Sequence, residues 1–185
     1  MSRTLWAVVT AAALGLAMQS GKAPAWAEGA RIEPAPVGSA PNASAFGTQV
    51  RFAGQPGEKD FDEYAKLGVK KVINLRMPAE MQKVEFNEPE VVKKAGMEYI
   101  SVPFGPEPPT DEDLNRIYAV LREAGGQKVL LHCASSNRAG LAWSLFRASQ
   151  HGLPAEEAVA EGKAAGLKSP ALEKIAREKI AALPQ

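Results

Sequence analysis

Apolar and polar positions along this chain fall into two rhythms that take turns from one segment to the next. Val50 to Ala53 is short and apolar-rich and closes on Gly54-Gln55-Pro56-Gly57, which predicts a strand and a turn. Glu58 to Leu67 carries Phe61, Tyr64, Ala65 and Leu67 at helical spacing, with Gly68 placed as the stop. Val69 to Leu75 reads as a buried strand through Val72, Ile73 and Leu75. A second short helix over Glu88 to Ala95 ends at Gly96, and Met97 to Phe104 is a third strand. Thr110 and Asp113 have capping-box spacing, so a helix begins there with Leu114, Ile117, Tyr118 and Leu121 on one face. Gly125-Gly126 ends it, and Lys128 to His132 is a compact apolar strand. A helix follows from near Arg138 to about Gly152. Two more span Pro154 to Ala165 and Pro170 to Leu183, the last with Ser169 as N-cap and Pro170 at its first position. The alternation predicts an α/β layered domain, with a mainly parallel central sheet flanked by helices and a C-terminal helical cluster. In open sheets of this kind the working site lies at the carboxyl ends of the strands, and Cys133 stands at such an end.

The first residues follow another pattern. Arg3 precedes an almost wholly apolar stretch from Leu5 to Met18, then polar residues, then Ala25-Trp26-Ala27. This is the layout of a secretory signal peptide over residues 1–27, with cutting expected after Ala27 and a periplasmic or secreted destination. The apolar stretch is shorter than the roughly 20 residues a spanning helix needs, so no stable membrane insertion is expected after cleavage. Residues 28–48, rich in Pro, Ala, Gly and Ser, read as a flexible arm before a domain at 49–185.

Charge narrows the partners. The 185 residues hold 22 basic and 21 acidic side chains, so no basic face for nucleic acid is indicated. The single cysteine is informative in an exported chain, where thiols usually pair as disulfides. One Cys and two His do not make a zinc site.

Cys133 opens the segment His132-Cys133-Ala134-Ser135-Ser136-Asn137-Arg138-Ala139-Gly140. A buried strand delivers a thiol to a loop of small residues, and a helix begins where the loop ends. Loop amides from Ala134 to Asn137 and the first helical N–H groups then converge on one point as an oxyanion cradle. The same positive field favours a thiolate nucleophile. Arg138 adds a planar two-pronged donor matched to phosphate. His132 is not placed to act as a base, because neighbouring strand residues point to opposite faces; it reads as a supporting residue that holds Cys133. His151, at a helix end, suits a surface or charge-complement role. Arg76, at the end of its strand, faces the rim as either an anion contact or a salt-bridge partner.

With these residues in hand, the chain resembles the cysteine-based protein tyrosine and dual-specificity phosphatases. It is most similar to the bacterial phosphatase-like domain also found in beta-lactamase hydrolase-like proteins. The resemblance runs from about Phe52 to Leu167. It rests on Phe52-Ala53-Gly54-Gln55-Pro56, Val72-Ile73-Asn74-Leu75-Arg76, Val102-Pro103-Phe104 and above all the Cys133 to Gly140 segment. It implies hydrolysis of a phosphate monoester, on a protein or a small molecule, through a phosphocysteine on Cys133. Phosphate would be held by the loop amides and Arg138, with no metal and no cofactor. Three positions depart from the family's usual signature. Four residues rather than five separate Cys133 from Arg138, a loop size also found in rhodanese-type sulfurtransferases. Ala139 stands where a hydroxyl residue is common. The general acid expected after the third strand falls near Gly105-Pro106, with Glu107 as the candidate. The alternatives to a phosphatase are therefore a sulfurtransferase or thiol enzyme using the short loop, and a non-catalytic oxyanion-binding module.

Overall fold

The computed structural model describes residues 28–184, so the proposed signal segment and its cleavage pattern lie outside the described residues. Six strands form one sheet in the order β1-β2-β3-β6-β4-β5. β3 (Val50–Ala53), β6 (Lys128–His132), β4 (Val69–Asn74) and β5 (Glu98–Ser101) run parallel. β1 (Ile32–Pro34) and β2 (Ser44–Phe46) add an antiparallel edge beside β3. β6 lies between β3 and β4, and its Val129, Leu130 and Leu131 are fully buried, as the apolar run required of a strand covered on both faces.

Helices cover both faces. On one side α1 (Asp60–Lys66) and α3 (Glu88–Lys94) bring Phe61, Tyr64 and Val92 onto Val72 and Leu130. On the other side lie α4 (Asp111–Arg122), α5 (Asn137–His151), α6 (Ala155–Ala164) and α7 (Pro170–Ala181). Their Ile117, Leu121, Trp143, Phe146 and Val159 pack with Phe52 and Leu131. A one-turn helix, α2 (Pro78–Met81), follows β4 and was not legible in the apolar pattern. α4 starts at the expected box: Thr110 Oγ1 accepts from the Asp113 amide, and an Asp113 carboxylate oxygen accepts from the Thr110 amide.

α5 is buried continuously from Ala139 to Ala148, because the sheet covers one side and α6 and α7 the other. Gly140 and Gly162 let α5 and α6 meet backbone to backbone: a Cβ at Gly140 would stand 2.4 Å from the Gly162 carbonyl oxygen. Below that crossing the buried Arg147 donates to Glu161, which also accepts from Trp143 Nε1 at 2.8 Å. His151 packs edge-on against Phe146 beside Arg147. Burial, and then the Arg147 charge, push its pKa down to about 4. It is thus neutral near pH 7 and supplies no charge to the helix end.

The segment 28–48, expected to be a flexible arm, is instead built into the domain. It contributes β1 and β2, and the turn between them is pinned where the buried Asp60 carboxylate accepts from the Ser39 amide and hydroxyl. Val37 is buried, and the Gly54 amide donates to the Pro41 carbonyl at 2.6 Å. Pro and Ala here fill an edge ribbon and a tight return; low apolar periodicity was a poor guide because each strand is only three residues long.

Candidate active site

Cys133 leaves the end of β6 and lies 1% exposed at the bottom of a cleft of about 530 Å³. Its amide donates to the Ala53 carbonyl at 3.3 Å, and the Gln55 amide donates to the Ala134 carbonyl at 3.1 Å, so β3 and its turn anchor the loop's first half. Gly54 is needed for that approach, because a Cβ there would come within 2.8 Å of the Ala134 oxygen. Ser136, fully buried, takes the left-handed conformation at φ 67° and turns the chain into α5. Its hydroxyl points away from the cleft and donates to the Ala165 carbonyl at 2.7 Å.

Asn137 holds the loop to the segment before α7: its Oδ1 accepts from the amides of Lys168 and Ser169 at 2.7 and 2.8 Å, and its Nδ2 donates to Ser135 Oγ at 3.0 Å. The side chains of Ser136 and Asn137 thus shape the loop, which leaves oxyanion binding to backbone. The N–H groups of Ala134, Ser135, Asn137 and Arg138 donate to no acceptor among the described residues. At the first turn of a 15-residue helix such groups carry partial positive charge and bind anions.

Arg138 reaches across this cradle. Nη1 and Nη2 donate to the two carboxylate oxygens of Glu80 at 2.8 and 2.6 Å, and Nη1 also donates to the Phe104 carbonyl at 2.8 Å. Burial alone would lower the Arg138 pKa, but the Glu80 hydrogen bonds and the adjacent Cys133 sulfur, itself within hydrogen-bond reach, outweigh burial and raise it. The same Arg138 bonds hold the Glu80 carboxyl below the usual carboxylate range. Glu80 is therefore ionised near neutral pH and orients the guanidinium; it is a poor proton donor. The sequence offered no sign of it, because it sits on the short α2. Arg76 takes the salt-bridge option: Nη1 donates to Gln55 Oε1, Nη2 donates to the Glu80 carbonyl at 3.0 Å, and Nε lies 3.7 Å from the Glu80 carboxylate.

His132 does not bond the loop through its ring, as its supporting role had suggested. The ring is fully buried on the opposite face of β6, with Nε2 3.2 Å from Glu88 Oε1 and Phe61 edge-on to it. The pair lacks the geometry of a directed hydrogen bond and stands as a close polar contact. Burial alone would raise the Glu88 pKa, but His132 and a Gln55 hydrogen bond outweigh burial and lower it. Asn74 completes the cluster, donating to Glu88 at 2.8 Å. Glu107 is exposed on the loop before α4 and does not line the cleft; Gly105 and Pro106 do. Among the described residues no group of three or more His, Cys, Asp or Glu is arranged to hold a metal ion, and no helix is long and apolar enough to cross a membrane.

A thiol in a loop of free amides beside an anchored arginine suits an oxyanion, and residues 44–150 match the phosphatase-like domain of beta-lactamase hydrolase-like protein. The chain belongs to this family. A beta-lactamase hydrolase-like protein of Xylella fastidiosa strain Temecula1 is 28% identical over 120 residues, which make up 64% of this chain and only 28% of that protein. Among solved structures, a protein of Shewanella putrefaciens CN-32 described as a phosphatase superposes with a TM-score of 0.65 at 26% identity, covering 80% of this chain and 96% of its own. P. aeruginosa TpbA, as a Cys→Ser form in complex with phosphotyrosine, gives a TM-score of 0.63 at 18% identity, covering 88% and 93%, and shares the fold. The family match ends at residue 150, so α6, α7 and the segment that Asn137 grips lie beyond it.

Proposed function

We propose that this protein is an exported, cysteine-dependent phosphatase that hydrolyses a phosphate monoester through a phosphocysteine on Cys133. The observation that carries this reading is the placement of the Cys133 sulfur beside the Arg138 guanidinium in one cleft, in a loop whose backbone N–H groups at Ala134, Ser135, Asn137 and Arg138 have no acceptor among the described residues. The family membership and the phosphotyrosine seen with TpbA support a phosphate-bearing substrate. Export rests on the layout of residues 1–27.

In the reaction the thiolate of Cys133 attacks phosphorus in line with the ester oxygen. The S–P bond forms as the P–O bond breaks, and the leaving oxygen takes a proton from water or a rim acid. Water then attacks phosphorus, breaks the S–P bond and returns the thiolate with inorganic phosphate. Arg138 and the amides of Ala134, Ser135, Asn137 and Arg138 spread the charge of the equatorial oxygens throughout. Glu80 cannot supply the proton while it is paired with Arg138. Glu107 remains the proposed acid, and reaching the cleft requires its loop to move.

Hydrolysis of p-nitrophenyl phosphate by the wild type and by Cys133→Ser tests the reading. Turnover that disappears in Cys133→Ser, with a Cys133-bound phosphate trapped by rapid quench, is expected. Absence of Cys133-dependent hydrolysis, or a persulfide on Cys133 from thiosulfate without ester hydrolysis, would overturn it.

A further inference from the structure

We infer that the first turn of α7 is the specificity wall of the cleft, and that with Met77 opposite it selects monoesters whose phosphate is carried on an apolar body without a second anionic group. This rests on the proposed phosphatase reading and adds to it which residues meet the part of the substrate beyond the phosphate. The cleft that holds Cys133 is lined by apolar residues from two parts of the chain, Met77 and Pro106 from one and Ala171 and Leu172 of α7 from the other. Met77 is 38% exposed, one of only two large hydrophobic side chains so exposed among the described residues. An apolar side chain held open at the mouth of a reactive cleft gains by meeting an apolar ligand.

The charges around the mouth agree. The charged side chains lining the cleft are Arg138 and Glu80, and they are paired with each other. The nearby cation Lys168 donates to Asn42 Oδ1 at 2.9 Å and does not line the cleft. Arg76 is turned toward Gln55 and Glu80. A substrate with a second phosphate or carboxylate near the ester would therefore meet the Glu80 carboxylate without a free cation to offset it.

The wall is also fixed in place relative to the cradle. Ser169 caps α7 through the Leu172 amide, and the Ser169 amide is itself held by Asn137 of the loop. The loop that carries Asn137 and the first turn of α7 are thus tied to each other by hydrogen bonds. α7 (Pro170–Ala181) lies beyond residues 44–150, the part of the chain that the family model matches.

The test compares kcat/KM for 1-naphthyl phosphate and for glycerol 2-phosphate in the full chain, its Leu172→Asn and Met77→Gln variants, and Cys133→Ser. The expected result is a wild-type preference for the naphthyl ester that falls about tenfold in each wall variant, mostly through KM, since one hydrophobic contact in a pocket is worth roughly 10–200-fold. Met77 is exposed, so its variant reports even if Leu172→Asn folds poorly. A preference unchanged within about twofold in Met77→Gln, with Cys133-dependent turnover intact, would overturn the wall and leave the phosphatase reading standing. Absence of Cys133-dependent turnover of both esters would overturn the two together.

Discussion

Replacing Gly140 by alanine sets two well-known effects against each other. Gly140 is inside α5, where alanine normally adds about 1 kcal/mol to helix stability. Here the new methyl would stand 2.4 Å from the Gly162 carbonyl oxygen, 2.6 Å from the Leu167 amide nitrogen and 2.9 Å from Leu167 Cβ. Ordinary contact needs roughly 3.5 Å, so α6 and the segment after it must retreat by about 1 Å. Two of the three obstructing atoms are backbone and cannot rotate aside. Overpacking of this kind costs about 1–3 kcal/mol, and the rigid obstruction places it at the upper end. The net loss is then about 2 kcal/mol, or a fall in Tm of roughly 4–8 °C for a domain of this length. Thermal unfolding followed by far-UV circular dichroism measures it. Gly126→Ala serves as the control, because a Cβ there meets only the Glu123 oxygen, at 3.8 Å. If Gly140→Ala melts at or above the wild-type temperature, helix propensity has won, and the close crossing of α5 and α6 does not constrain the structure as argued.

Arg138→Lys keeps the charge but loses the fork that bridges Glu80 and the oxyanion; p-nitrophenyl phosphate turnover should fall by about 10²–10³-fold while Tm changes little. Gly166→Ala places a methyl 2.5 Å from Ser136 Cβ at a backbone φ of 114°, so it should displace the loop and lower kcat/KM at least tenfold; turnover within twofold of wild type would refute this. His151 has its folded pKa depressed to about 4, so between pH 6.5 and 4 the unfolded chain binds the extra proton and stability falls as pH falls. The loss is at most about 3 kcal/mol and less after solvent screening of a half-buried ring. Urea titrations at pH 7 and pH 4.5 should show that this pH dependence shrinks in His151→Gln.

The sheet was largely readable because its central strands are continuous apolar runs and its helices end at glycines. Val129-Leu130-Leu131 is buried on both faces, and Gly68, Gly96 and Gly152 all take positive φ at helix ends. The proposed nucleophile, cradle and arginine could be put forward from sequence for a related reason: they lie within six consecutive residues, so local geometry brings them together. What escaped was contributed from a distance. Glu80 stands 58 residues from Arg138 on a helix of one turn, too short to leave a periodic signature. The fixing of Ser39 by Asp60, which orders the supposed arm, spans 21 residues of Pro- and Gly-rich chain. His132 on β6 and Glu88 on α3, 44 residues apart, meet through a close contact that no spacing announces.

The four-residue gap between Cys133 and Arg138 was the main reason to doubt a phosphatase cradle, and the structure gives that doubt a physical answer. A shorter loop must turn more sharply into α5, and Ser136 makes the turn by taking a left-handed conformation that costs a non-glycine residue about 1–3 kcal/mol. That strain persists only where the surroundings over-determine it. Here the surroundings are the chain between α6 and α7: Ala165 accepts the buried Ser136 hydroxyl, Gly166 leaves room for its Cβ, and Lys168 and Ser169 are gripped by Asn137. The buried Ser136 hydroxyl bond contributes about 1 kcal/mol, and the two Asn137 bonds, one exposed and one part-buried, add to it in offsetting the strain. The short loop is therefore not a cradle with a part missing. In the proposed function it is a cradle whose back wall comes from the C-terminal helical cluster, and the same cluster supplies Ala171 and Leu172 to the lining of the cleft.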